Sequence, residues 1–255
     1  LLVLNDGWIS ALAINSFQEI KADNIRNNFS KQTISFLDGL GEDYKKKILP
    51  LAVSPWVILF RNEDSLALEN KNSWEVIFSR SLANQMVFPN SPYLLISIAQ
   101  KIDLVNDLSK IKSQAKSYDD RNALNWVVSG KANAAVLPLS SCVNALIEDP
   151  RLSVVLPQEG SPLNWTVLAY PSLASEPFPT DWFESIWGST YLRRVISKGF
   201  LPPTVLSDLR RRNINVPKRF QSIFIPEEIV WEKCWSLPIL SFLEKKDLAL
   251  NWNNS

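Results

Sequence analysis

The chain has 255 residues, 46% of them hydrophobic, enough to bury the core of one large or two small domains. Lysine and arginine number 27 against 26 aspartate and glutamate, so no net field draws it to nucleic acid or anionic lipid, and neither is expected as a partner. Histidine is absent, which excludes Ser–His–Asp and Cys–His catalysis, the HExxH zinc motif and most transition-metal sites. No Gly-x-Ser-x-Gly motif offers another activated serine, so the chain is not read as an enzyme, and no cofactor is expected. The longest apolar stretch, Ile48 to Phe60, contains Pro50 and Pro55 and falls short of the roughly 18 residues that a membrane helix needs, so direct membrane insertion is not expected. Cys142 and Cys234 have no metal-site spacing; a disulfide and two unpaired thiols both fit. The sequence opens on Leu1 without a charged leader, and the true N-terminus is expected upstream.

In chain order, Leu1 to Leu4 reads as a strand, Asn5-Asp6-Gly7 as a turn and Trp8 to Phe17 as a helix. Residues 23–47 carry Phe29, Ile34, Phe36, Leu37 and Leu40 at spacings that suit short helices, and Val53 to Phe60 is a buried strand entered through Ser54 and Pro55. Ser73 caps a helix to Arg80, and Met86 to Phe88 is a brief strand. Pro89-Asn90-Ser91-Pro92 then leads into a helix from Tyr93 to Ile102, with Pro92 suited to its first turn. After a polar segment, 106–121, come a helix from Ala123 to Ser129, a strand from Ala134 to Leu137, a turn over Pro138 to Ser141 and a helix from Cys142 to Ile147. Strands Val154 to Leu156 and Thr166 to Tyr170 follow, then helices over 180–198 and 203–212 and a tail with Trp231, Trp235 and Trp252. The run Arg210, Arg211 and Arg212 reads as a solvated helix face. This alternation predicts an α/β protein with largely parallel sheets. With no Gly/Ser linker in sight, its domains are divided by strands that cross between them.

Several segments, in order, carry a family pattern: LLVLNDGWIS, KILPLAVSPWVILFRN, SWEVIFSRSLANQMVFPNSP, NWVVSGKANAAVLPLSSCV, VVLPQEGSPLNWTVLAYP, ISKGFLPP and IPEEIVWEKCW. Together they resemble the bacterial extracellular solute-binding proteins of the spermidine/putrescine type, and the P-x-E-G strand pair is the most specific of them. The resemblance implies a two-lobed periplasmic-binding-protein-like (type II) fold. Lobe 1 is then 1–54 and 167–255, its N-terminal part missing, and lobe 2 is 55–166. It further implies the receptor of an ABC-type importer, periplasmic or membrane-anchored as a lipoprotein, with a membrane permease as partner and a small polar solute as ligand.

In such a fold the ligand sits between the lobes, outside the carboxyl ends of the strands. That places Asn5, Asp6 and Trp8 after the first strand, Ser54 and Trp56 at the first crossover, Asn90, Ser91 and Tyr93 at one helix opening, Ser140 and Ser141 at another, and Asn164 and Trp165 at the return crossover. Each has a structural reading as well: Ser91 and Ser140 as helix caps, Asn5 and Asp6 as turn formers, Trp56 and Trp165 as core. The chain departs from the polyamine pattern. Asn90, Ser91, Leu94 and Thr166 stand where the family places acids, and Leu137 and Asn164 stand near its stacking tryptophans. A buried ammonium needs a paired carboxylate, and only Asp6 among the named residues offers one. Polyamine specificity is therefore not carried over, and a neutral polar solute or a small anion is expected instead. The alternative is the effector-sensing domain of a transcription regulator with the same two-lobed architecture, which a helix-turn-helix upstream would mark.

Overall fold

The run ILPLAVSPWVILFR leaves no exposed side: it forms one strand, β2 (Ile48–Arg61), in which every residue except Trp56 and Arg61 is buried. A strand buried on both faces belongs inside a sheet with layers above and below it. The computed structural model describes residues 1–9, 13–62, 70–104, 108–179, 181, 189–204 and 227–254. The chain divides into two compact units, Leu1–Ser54 with Asn164–Lys218 and Pro55–Leu163 with Arg219–Ser255. The second junction lies before Asn164, a little ahead of the one expected at 166.

In the first unit β1 (Leu2–Asn5) pairs antiparallel with β7 (Pro162–Ala169), Leu2 opposite Ala169 and Asn5 opposite Thr166. Of the helix expected from Trp8 to Phe17, the described residues form the end of α1 (Asp6–Ile9) and a 3₁₀ turn over Ile14–Ser16, and residues 10–12 lie outside them. Ala13 is extended (φ −66°, ψ 119°), and a helix cannot pass through it. The short helices expected over 23–47 are α2 (Asp23–Arg26), α3 (Lys31–Leu40) and α4 (Glu42–Lys47). The Ser30 hydroxyl caps α3 by accepting from the Thr33 N–H at 3.2 Å. Arg26 donates to the carbonyls of Lys45, Lys46 and Ile48, which closes the end of α4. The segment ISKGFLPP then has a physical account. Gly199 (φ 76°) ends α9 (Ser189–Ser197), Leu201 exchanges backbone hydrogen bonds with Val53, and the Pro203 carbonyl accepts from the Ser30 N–H and the Thr33 hydroxyl. The helix expected over 203–212 and the arginine run 210–212 lie outside the described residues beyond Thr204.

In the second unit the strand order is β4 (Ala115–Tyr118), β3 (Met86–Phe88), β5 (Ala134–Pro138), β2, β6 (Leu152–Val155). β3 runs parallel to β4 and β5, whereas β2 is antiparallel to β5 and β6. The sheet is thus mixed. Four strands follow one another through helical crossovers and share a direction, while β2 enters along the chain from the first unit and runs against them. Alternate residues divide between two cores. Ile58, Phe60, Met86, Phe88, Ala134 and Val136 face α5 (Pro92–Lys101), α6 (Leu108–Gln114) and the 3₁₀ turn Trp74–Phe78. Val57, Leu59, Val87, Ala135 and Leu137 face α7 (Ala123–Val128) and α8 (Leu139–Glu148). The polar segment 106–121 therefore holds α6 and β4, which periodicity did not single out.

The tail corrects the assignment of 167–255 to lobe 1. After α10 (Glu227–Lys233), β8 (Trp235–Ser236) pairs with Pro162 and Leu163 at the start of β7, and Leu237, Leu248 and Trp252 pack on the core of the second unit. Burial of Leu248 and Trp252 against that core is what draws α11 (Phe242–Asn254) there. Cys142 and Cys234 are both unpaired.

Phe60 is fully buried in β2, so Phe60→Ala should lower stability by about 3–5 kcal/mol. Leu173→Ala, at a side chain 95% exposed, should change it by less than about 0.5 kcal/mol. Urea denaturation of the two variants checks the contrast.

Candidate functional site

In the first unit the antiparallel register carries the chain from Asn5, opposite Thr166, to Asp6 beside Trp165. The Asp6 carboxylate accepts from the backbone N–H of Trp165 and, at 3.0 Å, from that of Gly7. Burial outweighs these bonds and pushes its pKa up to about 7. Asn5 is exposed, and Trp8 is 63% exposed on α1. Trp165 is fully buried and stacks on Phe36 with ring centroids 4.3 Å apart. Ser54 is fully buried as well, and its hydroxyl donates to the Gly199 carbonyl at 3.1 Å. Asn5, Asp6, Asn164 and Trp165 are thus gathered at one end of the β1–β7 pair, while the hydroxyl of Ser54 ties β2 to the Gly199 turn.

In the second unit β3, β4 and β5 are parallel, so the segments that follow them leave the same end of the sheet. Asn90, Ser91 and Tyr93 follow β3; Ser140 and Ser141 follow β5. Trp56 joins them because β2 runs the other way and sets it opposite Pro138, the last residue of β5. Ser91 caps α5, its hydroxyl accepting from the Leu94 N–H at 3.4 Å. Ser140 is not the cap of its helix: α8 starts three residues earlier than expected, with Pro138 at the cap and Ser140 inside the first turn. The Tyr93 hydroxyl donates to the Pro238 carbonyl at 3.0 Å, and burial together with the charge of Glu244 raises its pKa to about 12. Tyr93 therefore acts as a neutral hydrogen-bonding group at physiological pH.

Two residues at this end were missed. Asp119 and Asp120 follow β4, and Asp120 accepts from the Asn90 N–H at 3.0 Å. Asp119 accepts from the N–H groups of Arg121 and Asn122 and, at 3.3 Å, from the Trp126 indole; these bonds hold its pKa below the usual carboxylate value. Their signal in the sequence was the run YDDRNALNW, acids and an asparagine just before an apolar helical stretch. Among the described residues no group of three or more His, Cys, Asp or Glu side chains is placed to hold a metal ion.

No protein-family model matches the chain, and no curated protein matches its sequence. Solved structures do share its fold. The spermidine/putrescine ABC transporter substrate-binding protein PotD of Streptococcus pneumoniae superposes with a TM-score of 0.76 at 11% identity, over 99% of this chain and 81% of that one. The TpPotD lipoprotein of Treponema pallidum does so with a TM-score of 0.74 at 15% identity, over 99% and 82%. A two-component system protein that mediates signal transduction gives 0.63 at 13% identity, over 93% and 77%. The chain thus has the α/β fold of periplasmic binding proteins, as its segments led us to expect.

Asp6 gives a test of this local structure that needs no ligand. Its carboxyl ionises near 3.8 in the unfolded chain and near 7 in the folded one, so between these values the unfolded chain binds fewer protons and stability falls as pH rises. Asp6→Asn removes that loss. It should match the parent near pH 4 and exceed it by about 1–3 kcal/mol at pH 8, read by urea denaturation at the two pH values.

Proposed function

We propose that this protein is the substrate-binding component of an ABC-type importer, periplasmic or lipid-anchored, and that it takes a small neutral polar solute in the cleft between its two lobes. One observation supports the reading above the others: Trp56, Asn90, Ser91, Tyr93, Ser140 and Ser141 come to one end of the sheet in a fold shared with transport receptors. In this reading Asn5, Asp6, Trp8 and Asn164 supply the lobe 1 side. Ser54 and Trp165 support it from within the fold.

The ligand follows from the charges. The helix openings at Ser91 and Pro138 offer backbone N–H groups to an acceptor, which alone would favour an anion. Asp119 and Asp120, which follow β4 near Asn90, oppose one. A neutral solute with several hydroxyl or amide groups meets both demands. Polyamines are disfavoured in their turn, because Asn90, Ser91, Leu94 and Thr166 carry no charge for an ammonium and the Asp119 and Asp120 carboxylates are already engaged by N–H groups of the surrounding loops. Solute bound by both lobes holds them closed only as far as it binds the closed form better, and a permease would recognise that form. The likeness to a two-component signalling protein favours a second reading, in which the same solute is sensed for signalling and not carried.

A thermal-shift screen of neutral polar solutes, with spermidine and phosphate as comparators, should find stabilisation by a neutral solute alone. Ser91→Ala with Ser140→Ala should then weaken its binding by about 1–3 kcal/mol in isothermal titration, through groups left unpaired. Sub-micromolar spermidine binding, or an affinity untouched by the double substitution, would overturn the reading.

A further inference from the structure

Residues 157–161, which carry the return crossover out of the second unit, are gripped on two sides. On one side the Gln158 N–H donates to the Asn72 carbonyl at 2.7 Å, and Glu159 accepts from the Ser73 hydroxyl and the Trp74 N–H. The buried Trp74 indole donates to the Gly160 carbonyl at 2.7 Å. On the other side lies the C-terminal tail. The Trp235 N–H donates to the Ser161 carbonyl at 3.0 Å, and β8 pairs with Pro162 and Leu163. Gly160 has φ 82°, and a Cβ there would stand 2.0 Å from the Lys233 carbonyl oxygen. Only glycine lets the tail come this close.

The tail holds on elsewhere as well. The Trp235 indole donates to the Ser97 hydroxyl at 3.1 Å, under the Lys101 ammonium. Pro238 takes the Tyr93 hydroxyl. Trp252 meets Tyr118 edge-on, and Lys112 both lies over its ring and donates to its carbonyl. One segment thus touches the crossover, the opening of α5 and, through Tyr118, the last residue of β4.

We propose that the C-terminal strap, residues 227–254, is a latch that makes the return crossover and the opening of α5 one cooperative unit, so that its docking sets the geometry of the binding end. The last clause rests on the function proposed above; the latch itself does not. A latch of this kind opens as a whole, because its anchors share one stretch of chain and loss of one releases the others.

Amide hydrogen exchange of the full chain without ligand tests this. In Trp252→Ala, and in the milder Lys112→Ala, the amides of Gln158, Gly160 and Trp235 should exchange at least about tenfold faster than in the parent, although both substitutions lie at the far anchor. Gly160→Ala should speed exchange at Trp235 and Lys245 from the other end. Faster exchange confined to 242–254 in the first two variants, or an unchanged strap in Gly160→Ala, would overturn the latch. Circular dichroism of Lys112→Ala establishes that the fold is retained. No ligand enters the measurement, so failure of the latch and failure of the transport reading are distinguishable.

Discussion

Everything in the second unit follows from the burial of β2 on both faces. A strand whose alternate residues Ile58 and Phe60 on one side and Val57 and Leu59 on the other are all inaccessible to water needs neighbours at both edges and helices on both faces. β5 and β6 supply the edges; α5 and α6 cover one face, and α7 and α8 the other. Because β2 runs against its partners, Trp56, just inside the second unit, meets the late residue Pro138 of β5, which brings the first crossover to the sheet end where the helices open. The position of the candidate site is a by-product of that direction.

The charges at this end are held rather than free. Asp119 and Asp120 each accept backbone N–H groups, so they shape the loops after β3 and β4 as well as lending them charge. Asp6 is the opposite case: its hydrogen bonds do not offset the loss of water, and its charge is marginal near neutrality.

Much of the fold was legible because its signals are local. Met86-Val87-Phe88 between polar flanks gave β3, the Ser91-Pro92 pair gave the start of α5, and Ala134 to Leu137 gave most of β5. The failures have physical causes. β4 is four residues long with alternating exposure, too short for a period to stand out, so the acids after it went unnoticed. The helix expected to reach Phe17 does not run through Ala13, where the backbone is extended. The tail went to the wrong lobe because the core it packs on is built from residues far back in the chain, and no local pattern announces such contacts. At the candidate site the residue types were readable, but the difference between Ser91, a cap, and Ser54, buried against Gly199, depends on which way each side chain turns in the folded chain.

The pairing of β1 with β7 has a consequence for how the protein is made. Leu2 finds its partner, Ala169, only after β2 to β6 have been synthesised. Until then the emerging β1 lacks the strand it pairs with, and unpaired backbone N–H and C=O groups of this kind invite association with other chains. Its assembly is therefore gated by translation of the middle of the chain, and contacts this distant in sequence form slowly. A ribosome-bound fragment ending before Pro162 would hold one half of the pair without the other.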